Sequence, residues 1–358
     1  MDSVSHSRAI SDAEKMMEEI KALSPEMAVS APKIEIKSYD YYILAFSGGK
    51  DSLACYLHLL DIGIDKSKIE LWHHLVDGKE GSNLMDWPVT EDYCREVAKA
   101  FNQPIYFSWK EGGFEREMLR KNTPTSQNHW QYPDDNIIEC GLSGGRGPEG
   151  TRQKFPQVSA DLSVRWCSAY LKIDVCTAAI NNQERFHNKR TLVISGERAE
   201  ESPSRAKYKE FEPDRADNRT GAKGRLVDHW RPVHSWKEQE VWDIMKKHKV
   251  NPHPAYRLGW GRLSCMKCIF GSNNQWATIK SIDPAGLKKI ANYEKEFGVT
   301  IHRTMNVDQR AEKGKEYSPE FRKKGILACA LSNKYTLPVF TDKWELPSGA
   351  FGESNGPI

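Results

Sequence analysis

Six residues, Ser47-Gly48-Gly49-Lys50-Asp51-Ser52, constrain this chain more than any other stretch. Tyr41-Tyr42-Ile43-Leu44-Ala45-Phe46 before them is β-branched and aromatic and reads as a buried strand. After them Leu53, Cys55, Tyr56, Leu57, Leu59 and Leu60 form a helical stripe that stops near Gly63. A strand, a glycine turn and a helix start present backbone N–H groups and the positive end of a helix dipole to an anion. Lys50 adds a mobile positive charge, and Ser47 and Ser52 add hydroxyl donors. A Walker A loop needs four residues between its glycines and Ser or Thr directly after Lys. Here Asp51 follows Lys50, so that reading fails.

The pattern continues as alternating strands and helices. Ile69–Val76 completes a right-handed βαβ unit. Thr90 caps a helix bearing Tyr93, Val97 and Phe101, and Pro104–Phe107 is a third strand. The expectation is a doubly wound, mostly parallel α/β sheet with its ligand at the C-terminal strand ends. Residues 110–162 break the pattern and read as a long loop insertion, a lid or binding loop. A helix over Ser168–Asn182 and the strand Thr191–Ser195 resume it. Trp230–Val233 follows, then a capping box Ser235–Glu238 and a helix opened by Asp283-Pro284 and ended by Gly298. The division expected is an N-terminal appendage over 1–36 (with a short helix from Ser11 to Leu23), a main domain over 37–271 and a C-terminal helical extension over 272–358.

The formal net charge of +3 over 358 residues gives no general basic attraction to nucleic acid. No apolar run is long enough to span a bilayer and no secretory leader is present, so the expectation is a cytoplasmic protein without membrane contact. Eight cysteines in that setting favour thiols or metal ligands over disulfides.

The hexapeptide resembles the SGGKDS signature of the PP-loop family, which comprises ATP pyrophosphatases and the related sulfonucleotide (PAPS) reductases. Three further stretches resemble the reductase branch. Arg165-Trp166-Cys167-Ser168-Ala169-Tyr170-Leu171-Lys172 is similar to its Arg-x-Cys-x-x-x-Leu-Lys segment, and cations beside a thiol at a helix start favour the thiolate. Gly196-Glu197-Arg198-Ala199-Glu200-Glu201-Ser202-Pro203-Ser204-Arg205 is similar to a nucleotide-contacting G-x-R-x-x-E-S-x-x-R segment, with Arg198 and Arg205 as forks for phosphate or sulfate and Ser202 as a donor. Arg231-Pro232-Val233, then Trp236, Pro254-Ala255-Tyr256 and Cys265-Met266-Lys267-Cys268, resembles the C-terminal half.

That resemblance implies an adenine nucleotide (ATP, APS or PAPS) bound by the loop, Arg165, Lys172, Gly196, Arg198, Ser202 and Arg205. It places Lys50, Asp51 and Cys167 as catalytic residues. Cys167, Cys265 and Cys268 become ligands of an iron–sulfur cluster of the 4Fe-4S type, with zinc second and unmetallated cysteines third. A fourth ligand would come from Cys176, Cys329, His253 or an exogenous group. The family's reductases attack sulfur with a cysteine in a C-terminal Glu-Cys-Gly segment. Here the final residues hold none, and Glu139-Cys140-Gly141-Leu142 offers Cys140 as an outsider. His73, His74 and Asp77 end the second strand, where the family holds adenine and ribose.

Three functions follow as expectations. The first is thiol-dependent sulfur chemistry with a redox or sulfur-carrier protein as partner. The second is an ATP pyrophosphatase using Mg²⁺ to adenylate or thiolate an acceptor, nucleic acid among the candidates. The third is a nucleotide-sensing subunit that meets a partner through either terminal extension.

Overall fold

The computed structural model of the protein describes residues 35–134, 137–222, 224–323 and 325–352. Two units are distinguished, Met1–Ser38 and Tyr39–Ile358. In the first, a single 3₁₀ turn, Ile36–Ser38, falls within the described residues. The helix expected over Ser11–Leu23 lies outside them.

The second unit is built on an eight-stranded sheet in the order β5-β4-β3-β2-β1-β6-β8-β7. The strands are β1 (Tyr41–Ala45), β2 (Ile69–Leu75), β3 (Ile105–Lys110), β4 (Gln127–Asp134), β5 (Ile137–Gly144), β6 (Arg190–Ile194), β7 (Phe211–Pro213) and β8 (Leu226–Trp230). The five central strands, β3-β2-β1-β6-β8, are parallel. Both outer additions are antiparallel. The α/β expectation therefore holds, and the order reverses between β1 and β6. Such a switch point opens a crevice beyond the strand ends, because crossovers leave β1 and β6 toward opposite sides. The middle of β1 is fully buried, as its near-continuous apolar run requires in a sheet covered on both faces.

Two expectations need correction here. Residues 110–162 are not a plain loop: they hold a short helix, Gly113–Leu119, and the β4–β5 hairpin, which extends the sheet. The hairpin carries no clean alternation in sequence, because β4 is largely polar and β5, at the sheet edge, mixes apolar, polar and glycine residues. The helix expected from a Ser235–Glu238 capping box instead begins at Glu238, where the Glu240 carboxylate accepts the Lys237 N–H at 2.7 Å. By contrast, Asp283 caps its helix as expected, accepting the Gly286 N–H at 2.9 Å, and Gly298 ends it at φ +66°.

Helices Asn273–Ile282, Pro284–Phe297, Val307–Lys313 and Ile326–Ala330 make the region after residue 271 helical. Among the described residues no helix is long and apolar enough to cross a membrane.

Candidate functional site

The loop between β1 and helix α1 (Lys50–Asp61) is held by hydrogen bonds within itself and, through Lys50, to distant segments. Gly48 sits at φ +76°, a left-handed conformation, and a Cβ there would lie 2.9 Å from Cys94 Sγ and 3.2 Å from Tyr93. Ser52 Oγ donates to Gly49 O at 3.0 Å. The Lys50 backbone N–H donates to the Tyr256 hydroxyl at 2.9 Å, and Leu263 N–H donates to the same oxygen at 3.1 Å. Tyr256 thereby staples the loop to the segment around Gly261. The C-terminal region braces that staple: Gly349 N–H donates to Tyr256 O at 2.7 Å, and Phe351 N–H to Glu238 Oε1 at 3.1 Å.

Lys50 is not the mobile cation its exposed-loop reading implied. Its side chain is 2% exposed, and Nζ donates to Gly261 O at 3.1 Å. Asp51 and Glu238 carboxylates lie 3.6 and 3.8 Å away. Burial alone would push the ammonium toward neutrality, but Asp51, Tyr256 and Glu238 together hold it charged. Arg198 is consumed in the same network, donating from Nε to Asp51 Oδ1 at 2.6 Å and from Nη1 to Glu200 Oε2 at 2.6 Å. Neither Lys50 nor Arg198 lines the cavity described next. Changing Gly48 and Lys50 to alanine disturbs packed neighbours, since Lys50 is buried and a Cβ at Gly48 meets Cys94 and Tyr93. Gly48→Ala alone is expected to lower stability by about 1–2 kcal/mol through its left-handed backbone, more if Cys94 cannot yield. Urea unfolding of that single variant checks it; an unchanged midpoint would contradict the loop geometry.

A cavity of about 630 Å³ opens at the switch point, a size suited to a nucleotide. Ser47, His74, Arg165, Cys167, Lys172 and Ser195 are among its lining residues. Gly196, directly after Ser195, packs so closely on α1 that a Cβ would meet Asp51 C at 2.7 Å, which explains glycine there. Arg165 is 7% exposed, yet its Nε and Nη1 have no hydrogen-bond partner among the described residues. Burial draws that guanidinium below its ordinary range, with only partial compensation from Cys167 and Tyr208. Lys172 lies on a π-helical turn, Ala169–Ile173, and has neither an ion pair nor a hydrogen bond among the described residues. Such turns recur at functional sites because they re-aim side chains. Arg205 also lines the cavity but is paired with Glu201. Ser202 is turned to local use, its Oγ accepting the Arg205 N–H at 3.2 Å.

Cys167, Cys265 and Cys268 all line this cavity, so three residues far apart in sequence are brought together. They do not fit a metal centre as arranged: among the described residues no group of three His, Cys, Asp or Glu side chains converges to hold a metal ion. The expected thiolate at Cys167 is also corrected. Burial, reinforced by Cys268, pushes its thiol up to about 11 against the opposing pull of Lys172 and Arg165. Cys265 is likewise pushed well up, by burial first and then by Asp86. Cys176 lines the cavity, whereas Cys329 and His253 do not. Cys140 lies exposed on β5, opposite Gln131 and away from the cavity lining. His73 and His74 both reach the cavity, and His74 Nδ1 is 2.7 Å from Ser108 Oγ. Asp77 is committed elsewhere, accepting the Met85 and Asp86 N–H groups at 2.9 and 2.8 Å.

Sequence reading missed Glu238 and the depth of Tyr256's role. Pro254-x-Tyr256 was a visible signal for the latter; nothing local marks the former. It also missed His229 and Asp214, which line the cavity from β8 and from just beyond β7.

The chain is 25% identical over 274 residues to the uncharacterized 37.8 kDa protein in the gpa 5' region of Escherichia phage 186, covering 71% of this chain and 74% of the phage protein. The crystal structure of Candida glabrata FMN adenylyltransferase aligns at a TM-score of 0.33 and 13% identity, over 63% of this chain. This chain spans 52% of that enzyme. Residues 145–270, which carry Arg165, Cys167, Lys172, Gly196, Arg205 and both cysteines of the Cys-x-x-Cys, match the phosphoadenosine phosphosulfate reductase domain, a family of the PP-loop superfamily.

Proposed function

We propose that this chain is an enzyme binding an adenine nucleotide in the switch-point cavity and cleaving an anhydride at the nucleotide's anionic end. The single observation carrying this reading is Arg165, a buried guanidinium among the lining of a nucleotide-sized cavity, whose Nε and Nη1 have no hydrogen-bond partner among the described residues. A buried charge without a partner costs several kcal/mol, so a site that keeps one is built for an anion that supplies it. Lys172 adds a second charge, and Ser47 sits at the loop's start. Lys50, Asp51 and Arg198 act here as positioning residues that set the loop and Gly196. In this reading residues 37–271 form the nucleotide domain, while 1–36 and 272–358 are appendages open to a partner.

APS and PAPS carry a sulfate–phosphate anhydride and ATP a phosphoanhydride, so the same cations suit both. In the sulfonucleotide case Cys167 Sγ, as thiolate, attacks sulfur and the S–O bond breaks with its electron pair leaving on the nucleotide. A dithiol protein then releases sulfite and is oxidised to its disulfide. The upward push on the Cys167 thiol favours the second reading, cleavage of ATP with release of pyrophosphate, which asks nothing of a thiol. No step is routed through a metal cluster in either case.

The deciding assay gives the protein PAPS or APS with thioredoxin, and separately ATP with Mg²⁺, and measures sulfite and pyrophosphate. Sulfite release abolished in Cys167→Ser supports sulfur chemistry. Pyrophosphate release indifferent to that change supports the ATP reading. Neither product, with candidate acceptors present, would leave a nucleotide-sensing subunit.

A further inference from the structure

Three guanidinia of the cavity lining have one carboxylate between them. Arg165 precedes the turn Trp166–Ser168, and Arg205 opens the 3₁₀ turn Arg205–Lys207. Arg262 follows Gly261, in the segment that the Tyr256 hydroxyl holds through the Leu263 N–H. All three line the cavity. Glu201 serves two of them. Its Oε2 accepts from Arg205 Nη1 and, at 3.0 Å, from the Arg198 N–H, while its Oε1 lies 3.6 Å from Arg262 Nε. That last separation is an ion pair without a hydrogen bond, and the Arg262 guanidinium has no other partner among the described residues. Burial disfavours the Arg165 charge first, and the like charges of Arg205 and Arg262 add to that, so the three groups feel one another. The four carboxylates of the lining are engaged elsewhere: Glu197 and Glu212 by Arg231, Asp86 by the Trp87 N–H at 2.8 Å, and Asp214 by the Ala216 N–H at 2.8 Å.

Cations of this kind suit either anhydride, but their number does not. A terminal phosphate carries about −1.5 to −2 at neutral pH, whereas a terminal sulfate carries a single negative charge. Guanidinium forks also pair bidentately with the oxygens of a phosphate, so each arginine adds geometry as well as charge. We propose that Arg262 joins Arg165 and Arg205 in a site for a terminal phosphate group of the nucleotide, in preference to sulfate. The inference rests on the nucleotide reading above and narrows its substrate class to nucleotides with a phosphate end. That end is the tail of ADP or ATP, or a ribose 3′-phosphate such as that of PAPS.

The test is calorimetric titration of the full chain with ADP, ATP, APS and PAPS. ADP and APS differ only in ending the same tail with phosphate or sulfate, and PAPS and APS differ only in the 3′-phosphate. The wild type should bind ADP and ATP, or else PAPS, roughly tenfold more tightly than APS. Preference for ADP and ATP assigns the cluster to the tail, and preference for PAPS alone assigns it to the ribose. Arg262→Gln should weaken the favoured nucleotide about tenfold, the lower end for a lost hydrogen bond to a charged group, and leave APS nearly unchanged. Arg262→Lys, which keeps the charge without the fork, should fall between. If neither variant folds, the wild-type comparison decides. Equal affinity for all four nucleotides, or an Arg262→Gln that weakens APS as much as ADP, would overturn the proposal and leave the nucleotide reading standing. A folded wild type that binds none of them would fail both.

Discussion

Arg165→Met is expected to weaken nucleotide binding about a hundredfold while melting no earlier than the wild type. The affinity loss follows from a guanidinium that lines the cavity and has two nitrogens without hydrogen-bond partners among the described residues. Hydrogen bonds to a charged group contribute roughly 1.5–3 kcal/mol each, and about 2.7 kcal/mol is a hundredfold in affinity. The stability expectation has the opposite sign. In the unliganded protein the guanidinium is buried and uncompensated, so methionine relieves a desolvation penalty while keeping much of the aliphatic volume. Calorimetric titration with ATP, APS and PAPS, paired with thermal unfolding, reads both. Unchanged affinity for every nucleotide would remove Arg165 from the site, and a large fall in melting temperature would make it a structural residue.

Asp51→Asn should behave in the reverse way, costing about 3–5 kcal/mol of stability because it leaves Lys50 and Arg198 buried around a neutral group. The acid limb of stability checks the same network. Burial by itself would raise the Asp51 carboxyl, but Lys50 and Arg198 outweigh it and hold the carboxyl below its ordinary range. A folded-state pKa below the unfolded one means the contribution is present above the unfolded value, about 3.9, and is lost as pH falls through the folded one. Urea midpoints measured downward from pH 7 should therefore fall more steeply below about pH 4 in the wild type than in Asp51→Asn. Parallel curves, or a variant as stable as the wild type at pH 7, would show that the ion network contributes nothing net.

How far local sequence carries can be judged from individual elements. The strand–loop–helix from Tyr41 to Asp61 was legible because its causes are local: an apolar run that fits a two-face-buried strand, a glycine, Gly48, where the backbone turns left-handed, and a stripe at helical spacing. Asp283-Pro284 and Gly298 were legible for the same reason, since capping is chemistry between neighbours. The segments near 165, 196 and 265 each contribute residues to one cavity.

What each charged or nucleophilic group does there was not legible. Lys50 and Arg165 are equally cationic on paper. One is spent on Asp51, Glu238 and a carbonyl delivered from residue 261, and the other is left facing the cavity. Cys167 has two cations near it in sequence, yet desolvation in the folded chain outweighs them and pushes its thiol up. Ser195 and His229 stand 34 residues apart and pair because β6 and β8 are adjacent. The sequence by itself determined the local conformations, whose energetics are settled within a few residues. Only the tertiary structure decided which charges are consumed and which remain available. Desolvation and hydrogen bonding act over ångströms in space, between groups that the chain separates by tens to hundreds of residues.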